Sequence, residues 1–146
     1  MRAIVFVVLG ILFIGFSVSC DKQPRVCFQS SCLKVEVAQS PLELERGLQY
    51  RQSLAKDMGM LFIFPQNVEA AFWMKNTLIP LDMFWLDQDK KVIYIEKNAA
   101  PCLQEHCPTY GPREVARYVL EANAGFADAY NINIGDTATF SLVEIK

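Results

Sequence analysis

The chain has 146 residues, 52% of them apolar, and 14 basic against 16 acidic side chains give a formal charge of −2. Of the first 19 residues 14 are apolar, so the excess lies in one N-terminal segment and the remainder has ordinary globular composition. This excludes a disordered chain, a collagen-like chain, a coiled coil and a polytopic membrane protein, and it leaves enough residues for one sizeable core.

Met1 and Arg2 make a short positive start, and Ala3 to Val18 is apolar apart from Gly10, Gly15 and Ser17. As a helix that stretch reaches roughly 24 Å, short of a ~30 Å hydrocarbon core. It reads as an export signal over residues 1–19. Its end, Ser17-Val18-Ser19-Cys20, resembles the lipobox of bacterial lipoproteins, which implies acylation of Cys20 as the first mature residue. A tilted uncleaved anchor and a simple secretory signal are the alternatives. Two or more acyl chains hold a protein on a bilayer stably, whereas one is marginal. Asp21 resembles the inner-membrane retention signal of enteric bacteria; a solvated linker residue is the competing reading. The expected location is extracytoplasmic, anchored to a lipid bilayer, on the periplasmic face of the inner membrane in a Gram-negative host.

Without Arg2 the mature chain carries 13 basic and 16 acidic residues, and its only local basic clusters are Lys90-Lys91 and the Arg113/Arg117 pair. No nucleic-acid partner is expected, because a phosphate backbone calls for a concentrated basic face. Besides Cys20 there are Cys27, Cys32, Cys102 and Cys107, two pairs of C-x4-C spacing. In an oxidising compartment these suggest disulfides 27–32 and 102–107, with the cross-linked pairings still open. Cys102, His106 and Cys107 offer a competing metal reading. Adjacent side chains such as His106 and Cys107 rarely converge on one ion, so neither metal nor cofactor is expected.

Residues 20–32 show little periodicity and read as a tether to one domain over 33–146. Leu33 to Ala38 alternates strictly and is a strand candidate. Ser40-Pro41-Leu42-Glu43 is a capping box with proline at the first helical position, and the helix should fade near Arg51 with Leu44 and Leu48 facing the core. Gly59 to Phe64 has the pattern of a strand buried on both faces. Further strand candidates are Ala70 to Lys75, Leu78 to Leu86, Val92 to Ile95 after a turn at 87–90, Arg117 to Ala122, and Thr137 to Val143. A proline- and cysteine-punctuated loop fills 99–114, and Asn123 is a candidate cap for a short helix ending near Tyr130. The pattern predicts an α+β, β-rich single domain: a curled, mostly antiparallel sheet or small barrel with one or two short helices.

Three blocks then stand out: Glu45-Arg46-Gly47-Leu48-Gln49-Tyr50-Arg51, Gly59-Met60-Leu61-Phe62-Ile63-Phe64, and the run from Phe72 to Asp82. With Val119 to Gly125 and Gly135-Asp136 they resemble domain of unknown function 192 over roughly residues 33–143. The resemblance implies a compact β-rich fold, often exported, and no activity. Gln49 stands where relatives carry Met, and no role attaches to it.

No complete catalytic set is present. His106 is the single histidine, and no H-E-x-x-H, Walker loop, G-x-G-x-x-G or nucleophile elbow occurs. A polar constellation remains: Arg46, Lys75, Asn76, Asp82 and Glu121. Asp82 shares a strand face with Phe84 and Leu86, where an unpaired carboxylate is costly, so Lys75 and Arg46 are its candidate partners. Either these residues fix sheet ends, or they line one polar pocket in which two carboxyl groups with displaced pKa values act as acid and base. Trp73, Trp85, Phe72 and Phe84 are either core or a platform for sugar rings. The leading expectation is an envelope binding or accessory module, with a small molecule or envelope glycan as ligand and its protein partner open. The alternatives are a small hydrolase or lyase using Asp82, Glu121 and Lys75, and a structural partner in an envelope complex.

Overall fold

A computed structural model describes residues 23–29 and 31–142. The export signal, Cys20 and Asp21 lie outside the described residues. Among those described, no helix is long and apolar enough to cross a membrane.

The chain runs β1 (Arg25–Phe28), β2 (Ser31–Ala38), α1 (Pro41–Arg46), β3 (Met58–Val68), β4 (Phe72–Trp73), β5 (Leu81–Leu86), β6 (Val92–Ala99), β7 (Thr109–Tyr110), β8 (Ala116–Asn123), α2 (Phe126–Ala129) and β9 (Thr139–Ser141). Seven strands form one sheet in the order β6-β5-β8-β3-β2-β1-β9, and β4 pairs with β7 alone. Every pairing is antiparallel except β2 with β3, which α1 connects. The sheet curls far enough that its two edges meet. Val92 donates to the Asp136 carbonyl at 2.8 Å and Ala138 to that of Lys90 at 2.9 Å, tying the approach to β9 to the start of β6.

Curling creates two cores, one on each face. Inside the curl lie Val26, Leu33, Leu61, Phe84 and Leu120, with Phe126 of α2 closing one end. On the outer face Phe62, Met83, Trp85 and Val119 pack under Leu48, Met74 and the β4–β7 pair. All six residues of β5 are therefore buried, although its neighbours along the chain point to opposite faces. Gly59 lets β3 press against β8, since a Cβ there would lie 2.7 Å from the Glu121 carbonyl oxygen.

The capping box at Ser40 and Glu43 forms, but α1 ends at Arg46, where Gly47 turns the chain at φ +46°. Leu48 still reaches the core, as part of the following turn. The reading of 20–32 as a tether is corrected: Arg25–Phe28 is a sheet strand, and β1 and β2 form a tight hairpin with Cys27 directly opposite Cys32. Four residues are too few for periodicity to register, and the hairpin is secured by the crosslink and by β9. The disulfides are Cys27–Cys32 and Cys102–Cys107. Bonding of Cys102 to Cys107 removes the thiolates that the metal alternative required. Ala70 to Lys75 shortens to Phe72–Trp73, and Leu78 to Leu86 begins only at Leu81. Gly125, not Asn123, caps α2; the Asn123 amide instead donates to the carbonyls of Leu54 and Ala55.

A cleft over a buried glutamate

Register decides where the candidate polar residues go. Across β5 and β8, Asp82 faces Ala122 and Met83 faces Glu121, so the two carboxyl groups point to opposite faces of the sheet. A hydrolase or lyase built on Asp82 and Glu121 as a pair is thereby corrected.

Asp82 is fully buried on the inner face. Its partners are neither Lys75 nor Arg46. Oδ1 accepts from the Asn98 backbone N–H at 2.9 Å, and Oδ2 from that of Ala127 at 2.8 Å. Asn98 sits at φ +54°, where two residues of β6 bulge opposite Asp82. The carboxyl group thus joins a bulge to the first turn of α2, satisfying donors that burial would otherwise strand.

Glu121 lies on the outer face, opposite Met60 on β3 and Met83 on β5. It is 5% exposed, and its Oε2 has no hydrogen-bond partner. Burial pushes its carboxyl group from an ordinary 4.5 up to about 8. It therefore keeps its proton at neutral pH, so the carboxyl group can donate a hydrogen bond as well as accept one.

This carboxyl group lines a cleft of about 210 Å³ between the end of α1 and β4, with Phe62, Phe72, Leu48 and Thr77 as further lining. The aromatic floor has a plain origin. Phe72 stands edge-on to Phe62, Trp85 and Phe64, with centroids 4.9, 5.7 and 6.4 Å away, and this anchors β4. Strand alternation then turns Trp73 outward, 46% exposed, onto the cleft. Trp85 is fully buried and donates Nε1–H to the Ala70 carbonyl at 2.7 Å. The two tryptophans thus divide, Trp85 into the core and Trp73 to the half-exposed edge of the cleft.

Arg46, at the end of α1, joins Glu121 in this cleft. Lys75 does not line it, but its Nζ lies 5.3 Å from the Trp73 ring centroid, a cation–π contact at the border. Asn76 turns away. At φ +58° it donates from Nδ2 to the Tyr50 hydroxyl at 2.8 Å and accepts from the Tyr50 backbone N–H at 2.8 Å. Tyr50 is itself at φ +63°, and left-handed pairs of this kind hold only when the surrounding structure fixes them. The Cys102–Cys107 loop helps, because Asn76 N–H donates to the Cys102 carbonyl at 2.9 Å.

A second, larger groove of about 520 Å³ adjoins the first, sharing Arg46, Gly47 and Gln49 as walls. Here Arg51 holds Glu36 with two bonds of 2.6 Å. Sequence reasoning missed Thr77, Phe62 and Gln49 as cleft residues. Gly47 directly after Arg46 was the available signal, since a glycine ending a helix fixes which side chains turn back over the sheet. His106 is exposed in the disulfide loop, and no group of three His, Cys, Asp or Glu side chains among the described residues has metal-binding geometry.

Comparison with known proteins agrees with the fold. A UPF0127 protein of Thermococcus gammatolerans is 27% identical over 114 residues, 77% of this chain and 69% of its own length. The crystal structure of a protein from Sinorhizobium meliloti, described as a candidate transcription regulator, is 37% identical with a TM-score of 0.72, covering 82% of this chain and 92% of that one. A protein of unknown function from Novosphingobium aromaticivorans is 31% identical, again with a TM-score of 0.72, over 80% and 83% of the two chains. The sequence profile of the DUF192 family, described as uncharacterized ACR, matches residues 25–140, and the chain belongs to that family.

Proposed function

We propose that the protein is an exported lipoprotein, anchored through acylated Cys20, whose domain is a binding module that takes a small molecule in the Glu121 cleft. The observation that carries the binding reading is Glu121 itself: a buried carboxyl group with a partnerless oxygen at an aromatic-floored opening. An unmet buried donor or acceptor costs about 1–3 kcal/mol, and a ligand supplying the missing group recovers it. Anchoring is supported by the apolar start ending at Cys20, and two disulfides suit an oxidising compartment. The periplasmic face of the inner membrane is the expected address in a Gram-negative host. The regulator description of one relative is not carried over as nucleic-acid binding, since 14 basic residues against 16 acidic ones offer no concentrated positive face.

A thermal-shift panel of small polar compounds tests the cleft. At least one compound raises the Tm of the full chain and leaves that of Glu121→Leu unchanged; equal shifts in both proteins, or none in either, overturn the reading. For the anchor, a palmitate analogue labels wild type and not Cys20→Ser, and the variant leaves the membrane fraction. A Cys20→Ser chain still firmly membrane-bound sinks the lipoprotein assignment.

A further inference from the structure

The cleft has a chemical shape that narrows its ligand. Its floor is apolar, formed by Phe62, Phe72 and Leu48. Two buried polar side chains open on that floor, Glu121 and Thr77, each 5% exposed. Its outer wall is the half-exposed indole of Trp73, and its rim carries the planar polar groups of Arg46 and Gln49. Flat apolar wall, amide-like rim and apolar floor with one carboxyl and one hydroxyl group are complementary to a ring bearing hydroxyl groups and a small amide.

We propose that the cleft holds an acetamido sugar, its ring against Trp73, its acetyl methyl group among Phe62, Phe72 and Leu48, and its carbonyl accepting from Glu121. The hydroxyl of Thr77 is then the acceptor for the acetamido N–H. This inference rests on the reading of the cleft as a ligand site and adds the class of ligand. Size agrees with it. A volume of about 210 Å³ is below the ~300–1,000 Å³ of sites for drug-sized ligands, so the cleft suits a single sugar unit. The adjoining groove, with Tyr50, Glu36 and Arg51, shares three walls with it and is placed to receive the next unit of a chain.

Protonation supports the direction of the hydrogen bond. Three charged groups stand around Glu121: Glu45 and Arg46 at the rim, and Lys75 over the Trp73 ring. None bonds its carboxyl group among the described residues. From β3 and β5 the neighbours are Met60, Phe62 and Met83, which do not titrate. Burial keeps the proton on up to about pH 8, so the carboxyl group donates at neutral pH and turns repulsive to a carbonyl above it.

The full chain is titrated with N,N′-diacetylchitobiose and with cellobiose, which has the same rings and linkage without the acetamido groups. Calorimetry measures affinity, and the indole N–H resonances locate the site. Trp73 reports the cleft, and Trp85, bonded to Ala70, reports an intact core. Diacetylchitobiose is expected to shift Trp73 and not Trp85, and to bind at least about tenfold more tightly than cellobiose, the loss of a specific hydrogen bond and a buried methyl. Its affinity falls about tenfold between pH 6.5 and pH 9, as the protonated fraction shrinks. Glu121→Gln, whose amide still donates, keeps binding and loses the pH dependence. Trp73→Ala weakens binding by at least about tenfold, as expected for loss of a stacking platform, and its intact Trp85 signal keeps the test decisive should Glu121→Gln unfold.

Equal affinity for cellobiose, or a Glu121→Gln variant whose binding still falls with pH, overturns the proposal. N-methylacetamide, tetramethylammonium and acetate are titrated alongside. If one of these moves Trp73 while diacetylchitobiose does not, the sugar inference fails and the ligand site stands. If no probe moves Trp73, both fail.

Discussion

Replacing Glu121 by Gln isolates the energetic consequence of burying an acid on the outer face of the sheet. Unfolded, the carboxyl group ionises near 4.5; folded, it does so only near 8. Below the lower value both states hold the proton and the group is neutral to stability. Between the two the unfolded chain releases its proton and the folded chain keeps it, so stability falls as pH rises. Above about 8 both are ionised and the loss is complete. At about 1.4 kcal/mol per unit, the wild type forfeits on the order of 3 kcal/mol by pH 7 and about 5 kcal/mol by pH 8.5. That is a large share of the ~5–15 kcal/mol that holds an ordinary domain together. Gln has nearly the same shape and no charge to lose. Urea denaturation followed by tryptophan fluorescence, at pH 4.5, 6, 7 and 8.5, gives the difference between the two proteins and cancels every other titrating group. The variant gains steadily on wild type as pH rises. A difference that stays flat within about 1 kcal/mol over this range refutes the assignment of Glu121 as a buried, proton-retaining acid.

Three other variants test the frame. Asp82→Ala strands the backbone donors of Asn98 and Ala127 and lowers stability by about 3–5 kcal/mol in denaturant titrations, while ligand-induced shifts of Trp73 persist. Removing either disulfide by paired Cys→Ser substitution costs about 2 kcal/mol in the same assay, because each closes a short loop. Gly59→Ala and Gly125→Ala separate two mechanisms. The first drives a Cβ to 2.7 Å from a backbone oxygen and should cost about 2–3 kcal/mol, whereas the second meets nothing and loses about 1 kcal/mol to its φ of +86°; comparable Tm losses contradict that distinction.

Local signals in the sequence were legible because they are written in adjacent residues. Ser40, Pro41 and Glu43 specify a helix start, and Gly59 to Phe64 specifies a strand buried on both sides. The polar set was not legible as a set, because its geometry depends on parity across strands. Whether residue 121 faces residue 82 or 83 follows from how β8 aligns with β5, and nothing within either segment fixes that. The tryptophans show the same limit. Trp73 and Trp85 sit in similarly apolar runs, and only the anchoring of Phe72 among three rings turns one outward while the other stays buried. Asn123 was a fair helix cap by residue type, yet Gly125 accommodates the left-handed turn and frees the amide for the loop at 54–55.

The meeting of the sheet's two edges also bears on how the molecule behaves when crowded. An open sheet ends in unpaired strands that invite pairing with a neighbour and seed aggregates. Here the bonds of Val92 and Ala138 occupy the start of β6, and the rest of that strand presents Glu96, Lys97 and a left-handed Asn98, which spoil the flat backbone another strand would need. A domain finished in this way can stand at high density beside copies of itself without its strands being drawn into theirs.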